Sequence, residues 1–153
     1  MTWLLTFSSM RSSKVRSLIE GTMKYICLGY LDEKNWETMS ESELNALVDE
    51  CFAYEDLLRK NGHFVDGEAL QTPRNATTLR WKNGKVFITD GTYAETKEQL
   101  GGILVLEARD LNHAVQLMSK HPGERVGPWE IRPAEDLTEM IRESERHRSN
   151  ENN

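Results

Sequence analysis

Two short stretches constrain this chain more than any other feature: Ile26-Cys27-Leu28-Gly29-Tyr30-Leu31 and Ile103-Leu104-Val105-Leu106 are almost continuously apolar. Their length suits strands rather than helices, and the lack of polar alternation predicts strands buried on both faces. A sheet built on them needs cover on each side.

The segments around them supply one cover. Ser40-Glu41-Ser42-Glu43 is a capping-box pattern, in which each side chain satisfies a free backbone donor at a helix start. Behind it Leu44, Leu47, Val48, Cys51, Tyr54 and Leu58 recur at helical spacing, and Asn61-Gly62 supplies a stop. Phe64-Val65 and Ala69-Leu70 predict a second strand interrupted at Asp66-Gly67. Thr77 to Trp81 and Lys85 to Thr89 predict a hairpin, because Asn83-Gly84 favours the positive φ of a tight turn. Asp110 can cap a helix carrying Leu111, Ala114, Val115 and Met118, which His121-Pro122-Gly123 ends. Val126 to Arg132 reads as the last strand.

The resulting order is an α+β, ferredoxin-like βαββαβ plan with an extra hairpin strand in the middle. Both helices pack on one face of an antiparallel sheet, which leaves the other face apolar. Left bare, that face would exceed the ~300–600 Å² of a monomer's usual largest patch. A second copy of the same sheet is the simplest cover, so the chain is expected to form a homodimer. Residues 134–153 make a poor lid: Leu137, Met140 and Ile141 allow one or two amphipathic turns, and Arg142 to Asn153 is a charged, polar tail.

At 153 residues the chain suits one domain, placed at 23–133. Residues 1–22 are rich in Ser without a sustained period and read as a disordered extension, with Met23 a candidate true start. Two cysteines, Cys27 and Cys51, fit a reducing cytoplasm better than a disulfide framework, and they lack the spacing of a zinc site. The net charge of −6, with no stripe of Lys and Arg, argues against direct nucleic-acid binding. The apolar start Met1 to Phe7 is too short to span a bilayer, and no membrane association is expected.

Four blocks, in order, carry a resemblance: Met23 to Leu28, Gly62-His63-Phe64-Val65-Asp66-Gly67-Glu68-Ala69-Leu70, Asp90-Gly91-Thr92-Tyr93-Ala94-Glu95-Thr96-Lys97-Glu98, and Val126-Gly127-Pro128-Trp129-Glu130-Ile131-Arg132-Pro133. Together they resemble the DGPF branch of the YCII-related proteins. The resemblance implies a dimeric α+β barrel. The loop that names the branch reads Asp-Gly-Pro-Phe, whereas here Thr92 and Tyr93 hold its third and fourth positions, losing a rigid turn and gaining a hydroxyl. Some members of the wider family carry a His in the first helix near an Asp at the end of the second. Aligned on the glycine closing the first helix, Cys51 falls near that His position and His121 near the Asp position, so the pair is absent as such. Haem, used by distant dimeric α+β barrels, is not expected, and no cofactor or metal is assigned.

The candidate chemistry starts from the loop after the hairpin. Asp90, Tyr93, Glu95 and Lys97 could converge on a ligand, against the plain alternative of an Asp-Gly turn with solvated charges. Glu68 and Asp90 could act as paired carboxylates in acid/base chemistry, against the plain alternative that Glu68 faces solvent on an edge strand. Cys51 with His121 could form a thiolate nucleophile, although a thiol in an apolar row is more often inert packing. His63, at the start of the second strand, is a candidate ligand contact, or an exposed residue. Trp81, Phe87 and Trp129 read as core or dimer packing. Two functions follow as expectations: a small-molecule-binding or isomerase-like or lyase-like enzyme with its site in a dimer cleft, or a non-catalytic regulator or sensor. The second rests on the family's link with extracytoplasmic-function sigma factors.

Overall fold

The computed structural model describes residues 21–151. The extension expected over residues 1–22 lies outside them except for Gly21 and Thr22. The elements are β1 (Met23–Leu31), α1 (Glu33–Glu37), α2 (Glu41–Lys60), β2 (Phe64–Ala69), β3 (Thr77–Lys82), β4 (Lys85–Asp90), β5 (Gln99–Ala108), α3 (Leu111–Met118), β6 (Trp129–Pro133) and α4 (Thr138–Glu151). Short 3₁₀ turns occupy Pro73–Asn75 and Pro122–Arg125. The strands order as β2-β5-β1-β6, with every neighbouring pair antiparallel. With α2 and α3 as the crossovers, this is the ferredoxin-like α+β arrangement that the strand order implied. The hairpin β3–β4 is inserted between β2 and β5 and forms a two-stranded sheet of its own.

Although the sequence of β1 and β5 does not alternate, their burial does. Tyr25, Cys27, Leu104, Leu106 and Ala108 are buried against the helices, where Leu58, Ala114 and Met118 close the core. Ile26, Leu28, Ile103 and Val105 point to the outer face and are only half-buried. The period-2 geometry of a strand forces this split, and the apolar outer residues show why the sequence predicted cover on both sides.

The helix ends follow from local chemistry. The Ser40 hydroxyl accepts from the Glu43 N–H at 3.2 Å, while a Glu43 carboxylate oxygen accepts from the Ser40 N–H at 2.8 Å, completing the capping box. At the other end Gly62 adopts φ +78°, which lets the His63 N–H reach the Leu58 carbonyl at 2.8 Å in a Schellman closure. In the hairpin turn Asn83 (φ 51°) and Gly84 (φ 73°) both take the left-handed conformation anticipated for them.

Three elements differ from expectation. The interruption at Asp66-Gly67 is a register shift in a continuous β2 that leaves Val65 without a Cα partner on β5. The last strand starts at Trp129 rather than Val126, because the Val126 N–H closes the preceding 3₁₀ turn onto the Gly123 carbonyl at 3.2 Å. The tail expected to carry one or two turns forms the fourteen-residue α4. There Asp136 accepts from the Thr138 N–H at 2.9 Å, and Glu139 reaches both Arg142 (3.6 Å) and Arg146 (3.4 Å), so charge spacing rather than an apolar stripe organises the helix.

One close approach fixes the last strand over the core. Trp129 pairs with Gly29 in the β1–β6 register, and a Cβ on Gly29 would stand 2.8 Å from the indole ring. Replacing Gly29 by Val should therefore displace Trp129 and lower the unfolding free energy by about 1–3 kcal/mol, read as a reduced urea midpoint with unchanged slope. Ser40→Ala should cost about 1 kcal/mol by loss of the cap, in the same measurement.

Candidate functional site

The second half of α2, the 3₁₀ turn at Pro122–Arg125 and the start of β6 converge on His121. Its side chain is 4% exposed, in contact with the rings of Tyr54 (centroids 5.9 Å apart) and Trp129 (5.1 Å). The imidazole is oriented from one side by backbone: the Gly123 N–H donates to His121 Nδ1 at 3.0 Å. An accepting Nδ1 has no proton, so in the neutral ring the proton sits on Nε2. Nε2 is buried and has no hydrogen-bond partner; the nearest anion is Glu55 Oε1 at 3.6 Å. A buried polar atom left unpaired costs about 1–3 kcal/mol, and such atoms concentrate where something else is meant to bind or react.

Cys51 and Glu55 lie one turn apart on α2, which brings both to this corner. Burial, seconded by Glu55 and Glu50, pushes the Cys51 thiol up; Arg125 and the Gly123 N–H pull it down and lose. At this corner Cys51 is held as a thiol rather than a ready thiolate. Cys27, fully buried inside the sheet, is pushed up to about 12 by burial alone. Glu50 and Arg125 form an ion pair at the rim. On the far side of Trp129 a shallow groove of about 480 Å³ runs between α3 and β6, floored by Met118 and Ile131 and flanked by Ser119 and Glu124. Trp129 is the wall shared by groove and histidine.

The loop residues are arranged differently. Asp90 ends β4 on the surface, and Glu68 is exposed on edge strand β2 in the other sheet, so the chain does not bring these carboxylates together. Tyr93 is 78% exposed, with the Arg80 guanidinium 5.3 Å from its ring centre and donating to its carbonyl at 3.2 Å. Glu95 is exposed. Thr92, Thr96 and Gln99 turn their hydrogen bonds onto the loop's own carbonyls, and Gly91 makes the bend with φ +95°. Lys97 alone reaches inward, to Oδ2 of the buried Asp32 at 3.8 Å.

His63 sits half-buried, donating from Nδ1 to the Glu107 carbonyl at 3.0 Å, with its ring edge on His113 at 5.1 Å. Trp81 and Phe87 are 73% and 49% exposed, so only Trp129 of the three noted aromatics packs against the core of the chain. Glu55 and Asp32 were not singled out from sequence, and Tyr54 was read only as one of the apolar row of its helix. The i, i+4 spacing of Cys51 and Glu55 was the available signal for one of them; a return across the fold to Trp129 leaves none.

The family model of the YCII-related domain matches residues 23–138. The chain belongs to the YCII-related family. An uncharacterized protein of Rhizobium meliloti (strain 1021) is 30% identical over 115 residues, spanning 72% of this chain and 91% of that protein. The YCII-related domain thus covers the whole four-stranded sheet, the hairpin and the His121 corner. Among the described residues, no three His, Cys, Asp or Glu side chains are grouped to hold a metal ion, and no helix is long and apolar enough to cross a membrane.

Two chemical consequences are measurable. In the folded protein near neutral pH Cys27 should resist alkylation by iodoacetamide until denaturant is added, while Cys51, half-buried and raised, should react more slowly than a free thiol; peptide mass spectrometry separates the two. His113 has its pKa lowered, by burial first and then by Arg109 and His63. A folded pKa below the unfolded one means that the unfolded chain binds the proton more readily. Its contribution is therefore present above the unfolded value of about 6.5 and is lost as pH falls through the folded value. His113→Gln should flatten the fall in urea midpoint over that window.

Proposed function

We propose that this YCII-related protein, read as a member of the DGPF branch, binds a small organic molecule at the His121 corner and uses His121 and Glu55 for proton transfer, in the manner of an isomerase or lyase. The observation that carries the reading is the buried His121 Nε2, unpaired and 3.6 Å from the Glu55 carboxylate. A neutral imidazole with Nε2–H donates to an acceptor, and an adjacent carboxylate accepts, which is the complement needed to move a proton across a carbonyl, enol or carboxylic acid. The groove on the other side of the Trp129 indole gives an apolar body somewhere to rest, so a ligand that reaches the histidine from it must displace that ring.

The DGPF-like loop is a secondary contact in this reading. Lys97 ties it to the buried Asp32, and Asp90, Tyr93, Glu95 and Glu68 stay on the surface. A role for them in ligand binding would require a second copy to close over the loop.

Thermal-shift screening of the full chain against lactones, enols and aromatic acids tests the proposal. A binder at ~100 times its Kd should add about 2.7 kcal/mol of stability, and the shift should disappear in His121→Gln and weaken in Glu55→Gln. Binding that survives both substitutions but is lost in Asp90→Ala would move the site to the loop. Silence across the panel would favour the regulatory reading, for which a sigma-factor pull-down is the next experiment.

A further inference from the structure

The 3₁₀ turn at Pro122–Arg125 meets α2 at two rungs. His121, just before the turn, faces Glu55 with Nε2 3.6 Å from Oε1. Arg125, at its end, pairs with Glu50. Glu50, Cys51, Tyr54 and Glu55 form one strip of α2, because residues three and four apart are neighbours on a helix. The rungs are therefore roughly 7.5 Å apart along the helix axis. The Cys51 thiol on that strip feels the charges of Glu55, Arg125 and Glu50 together, so the two rungs border one site.

The rungs differ in how they are satisfied. At the inner one His121 Nε2 is buried without a hydrogen-bond partner. At the outer one the side chains of Arg125 and Glu50 are 58% and 54% exposed, and an ion pair so placed is held weakly. Arg125 is nevertheless set in position, because its Nε donates to the Pro122 carbonyl at 3.3 Å. Its two terminal nitrogens remain as a fork of the kind that grips a carboxylate. Glu50 occupies that fork and has no other side-chain partner among the described residues, so it can turn out to water.

We infer, resting on the reading of His121 as the binding group, that the ligand is a short oxo acid whose carboxylate replaces Glu50 on Arg125 while its carbonyl oxygen accepts from His121 Nε2–H. The rim is then the way in. A ligand entering there exchanges one exposed carboxylate for another and leaves the Trp129 indole in place, whereas an approach from the groove must move that ring. Once Glu50 has turned away, Glu55 is the remaining anion of the strip, and it faces the carbonyl end rather than the carboxylate. A hydrogen bond of about 2.9 Å at each end limits the span between the rungs to a chain of about two to four carbons.

Isothermal titration calorimetry of the full chain with 2-oxobutyrate and with acetoacetate tests the inference, methyl acetoacetate being the uncharged control. The acids should bind, and the ester should bind about tenfold or more weakly. Arg125→Gln should weaken acid binding by about tenfold or more, and Arg125→Lys by less. Glu50→Gln should tighten it, because the internal competitor is gone; a rim pair that only ties the turn to α2 predicts that Glu50→Gln and Arg125→Gln act alike. Acid binding that is lost in His121→Gln but unchanged in Arg125→Gln, or an ester that binds as well as the acid, would overturn the oxo-acid assignment and leave the histidine site standing. The same holds if neither acid binds while a lactone found by thermal shift still depends on His121. Silence from the acids with no His121-dependent binder of any kind would remove both readings.

Discussion

The antiparallel register of β1 with β5, running from Met23 against Ala108 to Leu31 against Gln99, sets the parity on which the other packing depends. It decides that Tyr25, Cys27, Leu104 and Leu106 meet the helices and that Ile26, Leu28, Ile103 and Val105 do not. A slip of β1 by one residue would turn Tyr25 and Cys27 outward and Ile26 and Leu28 inward while Leu104 and Leu106 stayed in the core. Because Gly29 falls on the inner parity, Trp129 can lie over β1 from the neighbouring strand. Trp129 in turn packs on His121, so the orientation of the buried histidine traces back to the pairing of the two central strands.

The helix crossovers convert that register into a site. The capping box and the Schellman closure fix where α2 begins and ends, and so fix the height at which Cys51, Tyr54 and Glu55 face the 3₁₀ turn. A close approach holds the turn: Gly127 packs against the Tyr30 carbonyl so tightly that a Cβ there would stand 1.7 Å away. Backbone at the Pro122–Arg125 turn then supplies the Gly123 N–H that sets the histidine tautomer. The result is a rigid corner in which one polar atom is left unpaired, while other polar side chains at the site find partners: the Tyr54 hydroxyl, for instance, donates to the Leu117 carbonyl. Uneven satisfaction of this kind is how functional positions depart from the consistency of the rest of a fold.

Much of the architecture was legible because it rests on local rules. Asn83-Gly84 demands a tight turn wherever it sits, Ser40 and Glu43 cap whatever helix follows, and the apolar runs around Ile26 and Leu104 are the central strands of the sheet. What was not legible depends on neighbours distant in sequence. Val126 matches a strand pattern but is taken by the turn before it, and α4 is organised by Glu139 with two arginines rather than by the apolar period that sequence reading follows. At the site, His121 and Cys51 were named from the resemblance, whereas Glu55 was overlooked, since an acidic residue on a helix is most often solvated. Glu68 and Asp90 looked alike on paper because both interrupt or end β-rich segments. The separate hairpin sheet is what parts them.

The proposed proton transfer depends on the state of His121. Long-range proton–nitrogen correlation NMR on the histidine-labelled protein reads the tautomer directly. The prediction is a ring with its proton on Nε2 and with Nδ1 showing the shift of a hydrogen-bond acceptor. A ring protonated at Nδ1 would contradict the Gly123 hydrogen bond and remove the donor that the proposed chemistry requires.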